Sequence, residues 1–395
     1  MSTPAPTGRG PRLDSTAAKV VLAAAVGLGV LFAAFAIVSP DPATAIGEFL
    51  TGAVSNPGRI TQWLSYSSEL MVTGAAVCLV FRVGLFTIGV EGQVFIGALL
   101  AGLVALGLGS GPLTLLLATA ASALGGFLWG LIPGLMKAYL GADELVTSLL
   151  LNYVATFLFS FVLKQFLTPA NAGFPVSAYF APSVGFPTLG TDPAVPVTLL
   201  LGVVVCLAVS TVLTRSRFGY RLRVVGDSPR FAHANGLPVR RLMWIAIALS
   251  GAIAGLAGAG LAFGTTHRLI VGMATGIGFD GLTVALLAFS RPILVPIAAL
   301  AYGYLTTGGD VIQITANVPS QVVVVLQGVL ILLIATVLRG RTARARRTTP
   351  PTGEEADDEP GPLDAAERSE IATATTTDSA PAHRERKAHV PGHDA

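Results

Sequence analysis

The stretch TRSRFGYRLRVVGDSPRFAHANGLPVRR, residues 214–241, lies between two long apolar runs and contains seven arginines. In a membrane protein, loops with an excess of arginine and lysine face the cytoplasm. The sequence DSP at 227–229 is typical of a helix start, because a capping residue precedes a proline in the first turn. Gly236 followed by Pro238 is typical of a helix end. We therefore predict a short helix over Pro229–Asn235 inside a cytoplasmic loop.

Two interpretations of this loop stay open on the residues alone. So short a helix is unstable by itself in water, so it should dock onto something. The loop is either a solvated basic segment that sets the orientation of the chain in the membrane, or the site at which a cytoplasmic partner docks.

Composition identifies the class of protein. Hydrophobic residues make up 52% and charged residues 12% of the chain, whereas soluble domains carry about 25% charge. We predict an all-α, polytopic integral membrane protein. The basic residues of the body lie mostly in loops, which argues against a nucleic-acid partner. Cys78 and Cys206 lie in apolar runs and are typical of small core residues, and no residues have the spacing of metal ligands.

The apolar runs give the expected spans. With roughly 20 residues needed for each, the count is about ten transmembrane helices. The runs are Val20–Val38, Ile60–Val80, Leu85–Leu106, Leu113–Met136, Leu145–Leu163, Val195–Leu213, Leu242–Phe263, Ile277–Phe289, Ile293–Leu305 and Val318–Leu338. The runs at 277–289 and 293–305 are short, which indicates thin, broken or partly re-entrant helices.

Loop charge sets the expected topology and domain limits. Basic residues concentrate on one side of the membrane if both the N-terminus and the C-terminus are cytoplasmic. We predict a cytoplasmic tail at 1–19, a transmembrane domain at 20–338 and a disordered cytoplasmic tail at 339–395, which is polar and without apolar periodicity. The long loop Gln165–Ala194 is expected to cover the outer mouth.

Polar residues inside apolar runs are the candidates for a translocation path. Glu69, Glu91 and Asp280 are carboxylates in such runs, and charge in hydrocarbon is costly unless it faces protein or water. Glycines flank Glu91 and Asp280, so each either lines a path at a broken helix or caps a helix N-terminus. Gln93 follows Glu91. Asn152 is either an interhelical hydrogen-bonding residue or a substrate contact.

Absent motifs restrict the energy source. The sequence contains no GxxxxGK[ST] phosphate loop, and it contains neither GxSxG nor HExxH, the patterns of two hydrolase classes. A transporter without a nucleotide site takes its energy from an ion gradient or from a partner. The basic loop with its capped helix favours a partner.

Four stretches resemble a known family. They are FRVGLFTIGVEGQVFIGALLAG (81–102), GADELVTSLLLNYVATFL (141–158), RFGYRLRVVGDSPRFAHANGLPVRR (217–241) and GIGFDGLTVALLAFSRP (276–292). Together they resemble the permease subunits of bacterial ATP-binding cassette (ABC) importers for nucleosides and simple sugars, within the larger group of ribose and branched-chain amino acid permeases. The resemblance extends from about Gln62 to Leu338. Thr87 stands where the family has Asn, and Asp227 where Glu is common.

The resemblance implies that residues 226–237 form the coupling helix that inserts into a groove of the ATPase subunit. The residues expected to serve this coupling are Gly226, Asp227, Ser228, Pro229, Arg230, Ala232, Asn235 and Gly236. ATP and Mg²⁺ would then be bound by the partner ATPase, and this chain would hold no cofactor and no catalytic site.

The resemblance also implies the other partners. These are a second, shorter permease subunit in a heterodimer, a lipid-anchored substrate-binding protein outside, and the lipid bilayer of a bacterial plasma membrane. Glu91, Gln93, Asn152 and Asp280 are the residues we expect to form the polar part of the path. Two alternatives remain: an ion-gradient-driven secondary transporter of a small polar solute, and a membrane scaffold or receptor without transport.

Overall fold

The computed structural model describes residues 42–315 together with Gly29 and Gly328. The predicted spans Val20–Val38 and Val318–Leu338 and both predicted tails lie outside the described residues. The helices are α1 (Pro42–Thr51), α2 (Pro57–Phe81), α3 (Val90–Leu108), α4 (Pro112–Leu135), α5 (Glu144–Val162), α6 (Val197–Arg215), α7 (Arg217–Asp227), α8 (Pro229–Ala234), α9 (Val239–Gly260), α10 (Ile277–Leu287) and α11 (Val295–Thr315). Two short antiparallel strands, β1 (Thr188–Leu189) and β2 (Val195–Pro196), pair with Thr188 opposite Pro196.

Seven helices of the described part are long and apolar enough to cross a membrane. They are α2, α3, α4, α5, α6, α9 and α11, and α10 is a shorter apolar helix. The all-helical membrane architecture is thus confirmed, and each apolar run predicted between Ile60 and Leu305 contains one of these eight helices. Two predicted boundaries are wrong by more than three residues. Helix α3 begins at Val90 and not at Leu85, because residues 85–89 are largely apolar but not helical. Helix α11 continues to Thr315, because Thr306, Thr307 and Asp310 interrupt the apolar run without ending the helix.

Helices α2, α3 and α9 form the interior of the bundle. In α2, 83% of the most apolar 18-residue stretch is buried, whereas the corresponding stretches of α4, α5 and α6 are each 28% buried. The outer helices therefore keep apolar faces for lipid or for another subunit, as spans in hydrocarbon do.

Close glycine contacts hold α4 against α9. A Cβ built on Gly126 would strike the carbonyl of Gly251, and a Cβ on Gly251 would strike the carbonyl of Gly126. Beside this crossing, the Ser122 hydroxyl donates to the Gly255 carbonyl oxygen at 2.5 Å. Small residues allow such backbone approach in membranes, where van der Waals packing and hydrogen bonds hold helices together.

Helix α10 begins inside the bundle and not at its surface. Leu269 packs against Gly102 of α3, whereas Gly278 packs against Glu91 of the same helix. Gly102 and Glu91 lie about three turns apart on α3, which at 1.5 Å per residue corresponds to roughly 16 Å along the helix axis. The chain between Leu269 and Ile277 descends this distance without forming a helix, which a membrane tolerates only where the segment is buried in protein or lines a cavity.

The end of the bundle that carries residues 165–194 is closed by two hydrogen-bonded loops. The backbone N–H of Ser177 donates to Leu269 O, that of Phe180 to His267 O and that of Phe186 to Phe263 O, each at 3.0 Å. Val176 and Ile270 form a β-bridge. This pairing fixes the start of the segment that descends to α10.

The glycine crossing gives a stability test. We expect Gly251→Ala to lower the free energy of unfolding by about 1–3 kcal/mol, because the added methyl group has no room between two backbones. Gly107→Ala is the control, since a Cβ at Gly107 meets nothing within 4 Å. Thermal unfolding of detergent-solubilised protein, followed with a thiol-reactive dye on the buried Cys78 and Cys206, measures both. Equal melting temperatures for the two variants would contradict the crossing.

Candidate functional site

The arginine-rich end of the bundle, residues 214–241, contains a helix that the sequence analysis missed. Helix α7 begins after Ser216, whose hydroxyl accepts from Gly219 N–H at 2.9 Å. Its residues Gly219, Leu222 and Val225 are buried, while its arginines point to the surface. The helical spacing of these residues and the Ser216 cap were readable signals, but the density of arginines suggested an irregular basic loop.

The predicted short helix is confirmed as α8, one residue shorter at its end than expected. Ser228 caps its start by accepting from Phe231 N–H at 3.3 Å. At its end, Gly236 N–H donates to His233 O and Leu237 N–H donates to Ala232 O, both at 3.0 Å. This is the Schellman arrangement, and Gly236 adopts the left-handed φ of 75° that it requires.

Helix α8 buries one apolar side chain against the protein and exposes another. Ala232 is fully buried, whereas Phe231 is 61% exposed. Phe231 was not among the residues that sequence analysis selected, although it is the large apolar side chain that α8 exposes. Phenylalanine and arginine are both enriched in protein–protein interfaces, and the exposed Arg230 precedes Phe231 in the chain.

The other predicted coupling residues shape this helix. Pro229 occupies its first turn, and the Asn235 side-chain amide donates to Phe231 O at 2.9 Å. Asp227 is the exposed last residue of α7.

Gly226 touches the loop between α2 and α3. A Cβ on Gly226 would strike Arg82 O, and one on Gly84 would lie 3.0 Å from Gly226 O. The backbone just before α8 is therefore in direct contact with residues 82–89.

Residues 82–89 lead into the start of α3, and Asn152 of α5 holds that start. The side-chain Oδ1 of Asn152 accepts from Gly92 N–H at 2.9 Å, and its side-chain Nδ2 donates to Ile88 O at 2.9 Å. The Ser148 hydroxyl accepts from Ile88 N–H at 3.3 Å. Thr87 uses its hydroxyl to accept from Gly89 N–H at 3.1 Å. These side chains satisfy backbone groups that a helix start leaves unpaired.

Glu91 and Asp280 each lie in the first turn of their own helix, α3 and α10. The starts of the two helices meet, because Gly278 packs against the backbone of Glu91. Within the described part of the chain, Oε2 of Glu91 and Oε1 of Gln93 are buried without a hydrogen-bond partner. Both groups remain available as acceptors.

Asp280 is held by two tyrosines from different helices. Tyr66 of α2 donates to its Oδ2, and Tyr302 of α11 donates to its Oδ1 at 2.5 Å. The partners come from positions 214 and 22 residues away in the chain.

The four predicted path residues do not converge on one pocket. Glu91 of α3 and Asp280 of α10 lie where the starts of these two helices meet, whereas Gln93 packs beside Gly130 of α4 and Asn152 binds the start of α3 from α5. Among residues 42–315, no group of three or more His, Cys, Asp or Glu side chains is placed to hold a metal ion. The arrangement supplies hydrogen-bond acceptors and tyrosine hydroxyls, which suits the binding of a polar solute.

Asn152 can be tested as a structural residue. We expect Asn152→Ala to lower the free energy of unfolding by about 2–4 kcal/mol, because it leaves a buried N–H and a buried C=O unpaired. Tyr153→Ala removes a larger but 58% exposed side chain from the next position and should change it little. Thermal unfolding in detergent checks both, and an Asn152→Ala variant as stable as Tyr153→Ala would refute this role.

The family model described as branched-chain amino acid transport system / permease component matches residues 59–335. The glucose ABC transporter permease protein of Haloferax volcanii is 30% identical over 80% of this chain and 86% of that protein. The guanosine ABC transporter permease protein of Bacillus subtilis is 35% identical over 67% of this chain and 78% of that protein. The nucleoside ABC transporter permease protein of Lactococcus lactis is 25% identical over 80% of this chain and 92% of that protein.

Proposed function

The chain belongs to the permease-component family of branched-chain amino acid transport systems; it is a multi-pass permease subunit of an ABC importer in the plasma membrane, and we propose that it carries a nucleoside or a simple sugar. The single observation that carries the proposed mechanism is α8, a helix capped at both ends that presents Phe231 beside Arg230 at the arginine-rich end.

Helix α8 would insert into the groove of a separate ATPase subunit, which binds ATP and Mg²⁺, and this chain would hold no cofactor of its own. The arginine-rich end is then cytoplasmic, in agreement with the positive-inside rule. Counted with the runs at 20–38 and 318–338, the domain 20–338 has about ten spans, and both termini lie in the cytoplasm.

Two further partners complete the proposed importer. Exposed apolar faces on α4, α5 and α6 leave room for a second permease subunit, which we infer to be a shorter relative in a heterodimer. A lipid-anchored binding protein would deliver the solute at the end closed by residues 165–194, in a bacterial plasma membrane.

The contact between Gly226 and Gly84 gives α8 a direct mechanical connection to the membrane interior. A displacement of α8 on ATP binding would press on residues 82–89, which continue into α3 and are tied to α5 through Asn152. Packed helices respond to such a push by small rigid shifts and not by bending. The start of α3, with Glu91 and Gln93, would therefore move relative to α10 and Asp280.

The path residues divide into two groups on this view. Glu91, Gln93 and Asp280 offer acceptor oxygens to a solute. Asn152 uses both ends of its amide on backbone groups of α3, so it acts as a positioning residue for the path. The relatives' names specify glucose, guanosine and nucleosides, which share several hydroxyl groups that such oxygens can bind.

One reconstitution experiment distinguishes the proposed ATP-driven importer from the alternative, an ion-gradient-driven transporter. We expect the chain, reconstituted with its ATPase and second permease in proteoliposomes, to accumulate guanosine or glucose from a loaded binding protein only when ATP is present on the α8 side. Uptake by the isolated chain under an imposed proton or sodium gradient, without ATP, would overturn the importer mechanism.

Phe231 provides a sharper test of the docking helix. We expect Phe231→Ala to reduce ATP-driven uptake at least tenfold, because truncation of a central aromatic anchor costs about 2 kcal/mol or more of binding. Phe157→Ala is the matched control, since Phe157 is 71% exposed but lies on α5. Copurification of the ATPase with each variant measures docking directly, and undiminished copurification and uptake with Phe231→Ala would refute the proposal.

A further inference from the structure

Helices α2 and α11 carry two facing rows of polar side chains. On α2 the row is Arg59, Gln62 and Tyr66, and on α11 it is Tyr302, Thr306 and Asp310. Residues three or four apart share one face of a helix, so each row is a continuous stripe. Both stripes lie in membrane-spanning helices.

The two rows are joined at both ends. At the deep end, Asp280 of α10 accepts from Tyr66 and from Tyr302. At the shallow end, Asp310 lies within electrostatic range of the Arg59 guanidinium. Near the deep end, the helices touch directly through the Trp63 indole N–H, which donates to Leu300 O at 2.8 Å. The rows therefore border one lane, defined here as Arg59, Gln62, Tyr66, Asp280, Tyr302, Thr306 and Asp310.

The lane is not a lipid-facing surface. Gln62 is exposed and the remaining members, apart from the buried Tyr302, are half-buried. The outward faces of α4, α5 and α6 instead carry leucine, valine and phenylalanine. Because arginine, aspartate and glutamine are costly in hydrocarbon, a row of them faces water or another polar surface.

We propose that this lane is the outer half of the translocation path and that it selects neutral, hydroxyl-rich solutes. The inference rests on the proposed importer function but adds the site and its selectivity. Tyrosine hydroxyls both donate and accept, so a solute hydroxyl can replace a Tyr66 or Tyr302 bond to Asp280 without leaving a polar group unpaired. The carboxylates Asp280 and Asp310 disfavour anionic solutes such as phosphorylated nucleosides.

The lane also has an apolar border for the flat face of a base or sugar ring. Trp63 of α2, which contacts α11 at Leu300 O, lies between Arg59 and Tyr66 in the chain, and Phe279, the neighbour of Asp280, is 42% exposed. A site with an aromatic wall and a few placed hydrogen-bonding groups is the usual form of a small-molecule site.

Water access is tested first, because it requires no substrate. Single cysteines are placed at Gln62 and Thr306 in the assembled transporter, and a charged, membrane-impermeant methanethiosulfonate is added from the side opposite α8. Leu117→Cys is the depth-matched control, because Leu117 lies as far from the start of α4 as Gln62 lies from the start of α2. The two native cysteines are buried and give low background.

We expect Gln62→Cys and Thr306→Cys to react at least tenfold faster than Leu117→Cys. Reaction at the rate of the control would overturn the lane, since it would show that the rows are sealed against another part of the chain or against the second permease.

Selectivity is tested with a pair of tyrosines. Tyr302→Phe removes a hydroxyl that binds Asp280, whereas Tyr304→Phe removes one that donates to Leu50 O. With guanosine or glucose as the probe, we expect Tyr302→Phe to lower KM about tenfold at unchanged ATPase activity, because a solute hydroxyl then binds Asp280 without first displacing the hydrogen bond from Tyr302, which is worth about one hydrogen bond to a charged group. Tyr304→Phe should leave KM unchanged.

An equal or higher KM for Tyr302→Phe than for Tyr304→Phe, or a loss of ATPase activity in Tyr302→Phe, would overturn the assignment of Asp280. A wild-type complex that transports neither probe would refute the proposed substrate class, while the labelling result would still decide whether the lane exists.

Discussion

A backbone N–H or C=O inside a bilayer finds no water to bond, so every break in a membrane helix needs a protein partner. Residues 42–315 contain two such breaks, residues 82–89 before α3 and residues 267–276 before α10. Side chains of α5 supply the partners at the first break, with Asn152 bonded to Ile88 at its end and to Gly92 in the first turn of α3. Loop residues around Ser177 supply them at the second. The positions of Glu91 and Asp280 follow, because each is in the first turn of a helix that starts inside the bundle.

The same requirement couples the motion of each break to the part of the protein that supplies its hydrogen-bond partners. A segment that is held by hydrogen bonds from a neighbouring helix cannot move without moving that helix. Residues 82–89 touch Gly226 at one end and are bonded to α5 at the other. The absence of side chains at Gly84 and Gly226 brings the two backbones into contact, so a displacement at α8 is not absorbed by side-chain rotation. Local backbone geometry thus connects the segment just before α8 to the polar groups at the start of α3.

Sequence patterns predicted what depends on neighbours in the chain. The capped helix α8 followed from Ser228, Pro229 and Gly236, since capping and left-handed φ are local. The length of α11 was missed because hydropathy treats Thr306 and Asp310 as an ending, although a helix in a protein tolerates polar residues that face a polar neighbour. The tyrosine partners of Asp280 could not be predicted, because Tyr66 and Tyr302 reach it only through the packing of three helices.

Polar groups inside the bundle differ in what their hydrogen bonds hold. The amide of Asn152 is bonded to backbone on both sides, so a solute that displaced it would disrupt the start of α3. The carboxylate of Asp280 is bonded to two phenolic hydroxyls, and a hydroxyl can rotate away and bond elsewhere without changing the backbone. Exchange with a solute hydroxyl therefore replaces one O–H···O bond with another of the same kind. Of the residues that sequence analysis placed on the path, Asp280 is the one whose present partners resemble the chemistry of the solutes named for the relatives.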